Sequence, residues 1–326
     1  MATRKDVADL AGVSVATVSY VLNHSKKVSQ KVEEKVLDAA KKLDYHPNLV
    51  ARSLVTKKSF HVAILVNDLQ NPYYVTLLEG AQKVAAKAGY IVSLILVDAS
   101  GRDQIMELVS RQLDGIIIAM QCENESIIRK LNIPYVGFAE KNIVNIDYSN
   151  ALYEGIHVLK ELGHQRIACI CGLPSTTNDS RIRLVIKAMK HEGLMYDEDL
   201  FIWGNEKEDT KVKDGYAAMD QLLKKGKKFT AVYALNDLMA IGAIKRLKDQ
   251  GLRVPDDVSV FGCDNIDIDE NLSPTLSTID VSARYFGAQL MESLLAEINH
   301  KQFNPVSIKT RFIQRDSIAK CMETNK

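Results

Sequence analysis

No apolar run in the 326 residues is long enough to cross a bilayer, and no charged-then-apolar leader opens the chain. A membrane helix needs about 20 consecutive apolar residues, and a secretory leader needs a basic start before a short apolar stretch. We therefore expect a soluble, cytoplasmic protein with no membrane partner. The five cysteines, an odd count, show no metal-ligand spacing. Cys169 and Cys171 lie two apart on one strand-like run, so both face one way, which suits core packing better than a disulfide or a metal. There is no nucleophile motif, metal-ligand set or phosphate loop, so neither an enzyme nor a cofactor is expected. His164, in GHQRI, reads as a turn residue rather than a base. The single tryptophan, Trp203, either stacks on a ligand ring or packs in the core.

Net charge is nearly absent too, at +1, but it is unevenly placed. Residues 1–60 hold 11 Lys/Arg and 6 Asp/Glu, and the rest hold 31 and 35. A basic N-terminal end can neutralise phosphates and supply sequence-independent affinity for nucleic acid. The same end carries a helix, a glycine turn and a second helix. Thr3 is placed to cap Lys5 to Ala11, whose stripe is Val7, Ala8, Leu10 and Ala11. Gly12 closes the turn, Val13 points inward, and Ser14 caps a helix whose Val18, Val21 and Leu22 face back. Ser29 and Glu33 open a third helix with Val32, Val36, Ala39, Ala40 and Leu43 on one side. A fourth segment, Pro47 to Val55, follows a Tyr-His-Pro break. The pattern is a helix-turn-helix, whose second helix enters the major groove; an ordinary helical hairpin is the alternative.

From His61 onward, apolar strand-like runs alternate with helical stretches. The runs are 62–67, 91–97, 115–120 and 134–138, then 166–171, 200–203, 229–234 and 258–262. Helices are predicted over about 72–88, 102–112, 123–131, 150–162, 179–192, 211–225 and 237–250. Near-continuous apolar strands with helical crossovers form parallel sheets covered on both faces. The pattern restarts once, so the fold class is α/β with two doubly wound lobes behind an all-α N-terminal domain. Ligands of such sheets sit beyond the carboxyl ends of the strands. Those ends carry Asn67, Asp68, Asn71, Tyr73 and Tyr74, then Ser175 to Asp179 with Arg181 and Arg183, then Asn236, Asp237 and Asp264. Carboxylates, amides, arginine and aromatics together suit a polyhydroxylated ligand.

These residues fall in motifs that resemble the lactose-repressor and purine-repressor (LacI/GalR) family of bacterial transcription regulators. The motifs are DVADLAGVSVATVSYVLN, HPNLVARSL (46–54), NPYY (71–74), DGIII (114–118), GHQRIACICG (163–172), YALNDLMAIGAI (233–244), VPDDVSVFGCDN (254–265) and SPTLSTI (273–279). They follow the family order from end to end. The resemblance implies three parts: a DNA-binding domain over 1–46, a hinge helix and linker over 47–60, and a periplasmic-binding-protein-like effector and dimerisation domain over 61–326. Lobe 1 of the last part would span about 61–148 and 281–305, and lobe 2 about 149–280 and 306–320.

By that resemblance, base-contact positions are Val15, Ala16 and Tyr20. The first two have no hydrogen-bonding side chain and suit thymine methyls; packing of the helix is their alternative role. Tyr20 stands where relatives often carry Arg or His. Phosphate-contact positions are Thr3, Ser14, Thr17, Ser19, Asn23, Tyr45 and Asn48, which position without choosing sequence. Lys26 and Lys27 add salt-dependent attraction or only solubility. Asn48 to Leu54 resembles the hinge helix. Leu54 would wedge between base pairs, at about a few kcal/mol per step offset by added contact, or else be a linker residue. Arg52 would reach phosphate or the minor-groove floor.

The same resemblance gives Arg181 and Asp264 to the effector. Leu184 and Val185 depart from the family's small residue and aromatic, so Arg183 stays an alternative. Asn67, Tyr73, Tyr74, Asn236 and Asp237 complete the expected site. Asp264 could instead cap a turn, and Asn236 and Asp237 a helix. Two segments, Val97 to Asp114 and Phe138 to Asp147, are shorter than the family norm, so no particular effector is transferred.

The expected function is a repressor that binds a pseudo-palindromic operator as a homodimer under control of a small effector, a sugar, sugar phosphate or nucleobase. Lobe closure would change the spacing of the two hinge helices. The tail METNK has no leucine heptads, so a tail-mediated tetramer is not expected. Alternatives are control by a protein co-repressor, a solute-binding transport receptor, and an enzyme acting on a sugar or nucleotide.

Overall fold

The computed structural model describes residues 2–22, 26–45, 58–97, 107, 113–119, 133–137, 143–175, 179–205 and 210–322. They fall into two compact units, Met1–Ser59 and Phe60–Lys326. Helices α1 (Arg4–Ala11), α2 (Val15–Leu22) and α3 (Gln30–Lys42) make up the first. They share a core of Val7, Ala8, Ala11, Val18, Val21, Val36, Ala39 and Ala40, with Val13, Leu22, Leu43 and Tyr45 packed against it.

Local chemistry sets each boundary. The Asp6 N–H donates to Thr3 Oγ1 at 3.3 Å and the Thr3 N–H to Asp6 Oδ2 at 2.7 Å, a reciprocal cap. Gly12, at φ 66°, ends α1 in a left-handed turn that a Cβ would strain. Ser14 Oγ then accepts from the Thr17 N–H at 3.1 Å and opens α2. Ser29 precedes α3 without a side-chain cap bond, leaving Glu33 as the first-turn acid. Leu10 departs from the expected stripe, being 52% exposed, and Val32 is only half-buried. At about 100° per residue Leu10 points well away from Ala8 and Ala11 and sits beyond the Val7 edge of the buried stripe. The segment 46–57, with the expected hinge, lies outside the described residues.

The larger unit alternates strand and helix. Its first lobe has β1 (His61–Val66), α4 (Pro72–Lys87), β2 (Ile91–Leu96), β3 (Gly115–Ile118) and β4 (Tyr135–Gly137). The sheet order is β2-β1-β3-β4, all parallel. Alternation within β1 sends Val62, Ile64 and Val66 to one core and Ala63 and Leu65 to another, so both faces are dry. Apart from Glu107, the helices expected over 102–112 and 123–131 lie outside the described residues.

The chain leaves this lobe through β5 (Val144–Asp147) and enters the second. There follow α5 (Ser149–Glu161), β6 (Ile167–Ile170), α6 (Ser180–His191), β7 (Phe201–Ile202), α7 (Val212–Lys224), β8 (Ala231–Ala234), α8 (Asp237–Asp249) and β9 (Ser259–Phe261). The order β7-β6-β8-β9 is again all parallel, so each sheet reverses direction beside its first strand. Cys169 and Cys171 are buried in this lobe's core, as expected of packing residues. His164 is not a simple turn residue. It is 2% exposed, its Nε2 donates to the Ala319 carbonyl at 3.0 Å, and its Nδ1 lies 2.9 Å from the Thr230 hydroxyl.

Two short pairings join the lobes. β10 (Thr278–Asp280) leads to α9 (Ala283–Ile298) of the first lobe, and β11 (Val306–Lys309) and β12 (Arg311–Ile313) return. β11 runs parallel with β5, and β10 antiparallel with β12. Ile308 belongs to the first lobe's core and Phe312 to the second's. The final crossing thus falls near residue 310 rather than 306, because its register with β5 holds β11 in the first lobe.

Candidate functional site

On the N-terminal unit, the first turn of α2 presents Val15 and Ala16 to solvent. Val15 is 46% exposed although apolar, while Val18 and Val21 take the core face. Neither Val15 nor Ala16 belongs to the packed core. Tyr20 is half-buried, with Lys26 Nζ 4.8 Å from its ring centroid. Ser14 and Thr17 share a hydroxyl contact of 2.8 Å beside this turn. Thr3 is exposed, Ser19 and Tyr45 are half-buried, and Tyr45 packs against the core. Asn23, Asn48, Arg52 and Leu54 lie outside the described residues.

In the larger unit the carboxyl ends of strands from both lobes gather one polar cluster. Beyond β1, Asn71 caps α4 by accepting from the Tyr73 N–H at 3.0 Å. Tyr73 packs edge-on to Tyr74 at 5.3 Å, and the Tyr74 hydroxyl donates to Asn67 Oδ1 at 2.8 Å. Beyond β6, Asp179 caps α6 by accepting from the Arg181 N–H at 2.8 Å. The Arg181 guanidinium folds back on the same carboxylate, with Nη2 at 2.9 Å and Nε at 3.2 Å. Its Nη1 donates to the Leu235 carbonyl beyond β8 at 3.2 Å, and it lies 5.7 Å from the Tyr148 ring centroid beyond β5. Arg183, two residues on and thus on the opposite side of the helix, is exposed.

Burial and charge set the protonation of this cluster. Burial disfavours the Arg181 cation, but Asp179 and Tyr148 hold it firmly charged. Burial likewise opposes ionisation of Asp179, yet Arg181 keeps its pKa below the usual carboxylate value. Burial, then the neighbouring Tyr148 and Asp264, pushes the Tyr73 phenol well above its ordinary pKa. Asp264 is raised well above the carboxylate range by burial and then by Asp237, against Arg181 and a hydrogen bond from Asn71. Tyr73, Tyr148, Arg181 and Asp264 therefore feel one another directly. Tyr73 and Asp264 also border a hollow of about 520 Å³ between α4 and α9, a size suited to a small molecule.

Asn236 takes the helix-cap alternative, whereas the Asp237 side chain is bonded to a strand and a loop instead of to its own helix. Asn236 Oδ1 accepts from the Met239 N–H at 2.9 Å and its Nδ2 donates to the Thr210 carbonyl at 3.0 Å. Asp237 has no exposed surface and accepts from the Thr278 hydroxyl at 2.6 Å and the Ile266 N–H at 3.3 Å. Both stand behind the cluster rather than on it. Trp203 is half-buried, 6.4 Å from the Phe201 ring. Tyr148 was missed by sequence reasoning. An aromatic between the strand-like IVNID and the helical SNALYEG was the available signal. Among the described residues no group of three His, Cys, Asp or Glu is placed to hold a metal, and no helix is long and apolar enough to cross a membrane.

Residues 3–48 match the family of bacterial regulatory proteins, lacI family, and residues 156–318 match the periplasmic binding protein-like domain. The HTH-type transcriptional repressor PurR of Vibrio cholerae serotype O1 is 33% identical over 338 residues, covering 98% of this chain and 98% of that protein. The Lac repressor dimer bound to operator and an anti-inducer superposes with a TM-score of 0.79 at 26% identity, over 98% of this chain and 99% of that one. A LacI family regulator of Enterococcus faecium with bound ribose gives 0.69 at 26% identity, over 80% of this chain and 99% of that one.

Proposed function

The chain belongs to the lacI family of bacterial regulatory proteins, and from that premise we propose which of its residues do the family's work. It is a DNA-binding transcriptional repressor that acts as a homodimer and answers to a small effector. α2 enters the major groove of a pseudo-palindromic operator, with Val15 and Ala16 against thymine methyls and Tyr20 one turn on. Thr3, Ser14, Thr17, Ser19 and Tyr45 face phosphates, joined by Asn23, Asn48 and Arg52, with Leu54 as the minor-groove wedge. The exposure of Val15 on an otherwise well-packed helix supports this assignment.

The effector lies in the cleft between the lobes, against Tyr73, Tyr148, Arg181 and Asp264, with Asn67 and Tyr74 at its edge. One observation carries this reading: these four residues come from both lobes and meet at strand carboxyl ends. A ligand bridging Tyr73 of one lobe and Arg181 of the other favours a closed arrangement. Closure moves the segments that enter the first lobe, and so the spacing of the two DNA-binding ends. Coupling of about 1–3 kcal/mol changes operator affinity five- to 150-fold. We assign no catalysis and place the protein in the cytoplasm with its DNA. The test is a thermal-shift screen of sugars, nucleobases and phosphorylated metabolites on the full chain, followed by operator titration. A stabilising compound that undergoes no turnover and changes operator affinity supports the reading. Turnover, or stabilisation without any change in operator affinity, contradicts it.

A further inference from the structure

Beneath the Asp264 loop lie two aspartates that no part of the site uses. Asp237, opening α8, and Asp269, in a short helical turn over Asp267–Asn271, both have no exposed surface. Asp237 is well supplied with donors, from the Thr278 hydroxyl and the Ile266 N–H. Gly262 lets it approach, since a Cβ there would collide with Asp237 Oδ1. Among the described residues Asp269 has none: neither of its carboxyl oxygens has a hydrogen-bond donor, although both are fully buried. The Asp237 carboxyl lies within side-chain hydrogen-bonding reach of it. Two ionised carboxylates cannot stably share a dry site, whereas an acid and a carboxylate can, through one hydrogen bond.

We propose that Asp237 and Asp269 share one proton, carried on Asp269 and donated to Asp237, and that this bond holds the Asp264 loop in place. Asp269 is thus a positioning residue for Asp264, a role that rests on the effector-binding reading of Asp264 given above. The loop needs such a hold. Asp264 at φ 129° and Asn265 at φ 56° are successive non-glycine residues in left-handed backbone, which persists only where surroundings over-determine it. Asp237 grips the loop at the Ile266 N–H, and the shared proton ties Asp269 to Asp237.

The charges around the pair agree. Burial, then Asp237, pushes the Asp269 carboxyl up to about 10, with Asp264 adding to the effect and Arg315 opposing it. Arg315, beyond β12, is bound elsewhere: to the Leu276 carbonyl at 2.7 Å, Asn265 Oδ1 at 2.8 Å and Glu270 at 2.9 Å. Cys263, beside the loop, is buried and its thiol is pushed up by burial and by Asp264. No cation among these partners replaces the proton.

The test is infrared spectroscopy of the full chain with ¹³C-labelled aspartate at pH 7.5. The expected result is protonated-carboxyl absorption of which one component is lost in Asp269→Asn, whose amide supplies a permanent donor, and that component survives in Asp264→Ala, where only the Asp264 contribution is removed. Asp269→Asn should fold, and Asp269→Ala should be less stable than it. Between pH 6 and 8.5 the wild-type folding constant should fall relative to Asp269→Asn by up to about tenfold per unit. A band unchanged by Asp269→Asn, or parallel pH profiles, overturns the proposal. Should Asp269→Asn not fold, Asp237→Asn must lose the same band, because its amide lets Asp269 ionise. None of these readouts needs the effector, so they stand apart from the role assigned to Asp264.

Discussion

Arg181 and Asp179 form a two-point pair within one turn of helix, Nη2 to Oδ2 at 2.9 Å and Nε to Oδ1 at 3.2 Å. The same carboxylate caps α6, so one side chain both starts the helix and aims the guanidinium across the strand ends. With Asp179 replaced by Ala, the helix loses its cap and Arg181 its partner. We expect a loss of about 1–3 kcal/mol in stability, read by chemical denaturation. Asp179→Asn should keep most of the cap and lose mainly the charge pairing, so it should fall between the two. Equal stability of wild type and Asp179→Ala would contradict this role.

Reading by apolar contact makes a different prediction for α2. Val15→Gln gives the first turn an amide able to pair with adenine. Selection from a random DNA pool should then enrich a different base at one position in each half-site. Affinity for the wild-type operator should drop by about 1–3 kcal/mol, with an unchanged slope of affinity against salt, since no phosphate contact is lost. An unaltered selected sequence would remove Val15 from base readout.

His164 sets a pH dependence. Burial lowers its pKa below the usual value, against the Ala319 hydrogen bond. A base whose folded pKa is depressed contributes stability that is present above the unfolded pKa. That stability is lost as pH falls from about 6.5 toward the folded value. The loss should reach up to about 1.4 kcal/mol per pH unit. His164→Gln should be less pH-dependent over that window when both are unfolded in denaturant at pH 5 to 7. Parallel curves would show that the imidazole does not titrate there.

The alternation of lobes was legible because buried parallel strands are continuous apolar runs, as in VAILV and AVYA, flanked by helical periodicity. The crossovers were not. VNID, VSIK and TID are short and mixed in polarity, and β5 meets β11 across more than 150 residues of chain. Pairing at that distance leaves no local trace. Arg181 was separated from Arg183 only by helix phase, which requires knowing where Asp179 starts α6. Asn236 and Asp237 sat at a strand end, as ligand residues do, but capping took the Asn236 side chain and the Thr278 hydroxyl the Asp237 one. Asp269 had no signal at all, since a buried acid in a polar run looks like a surface one.

Control of operator binding by an effector at Asp264 and Arg181 can be read from the operator affinity of wild type and Asp264→Ala, each with and without a compound identified by thermal shift. Without compound the two proteins should bind operator similarly. Saturating compound should then change the wild type by about five- to 150-fold and leave the variant unmoved. An equal change in both proteins would contradict it.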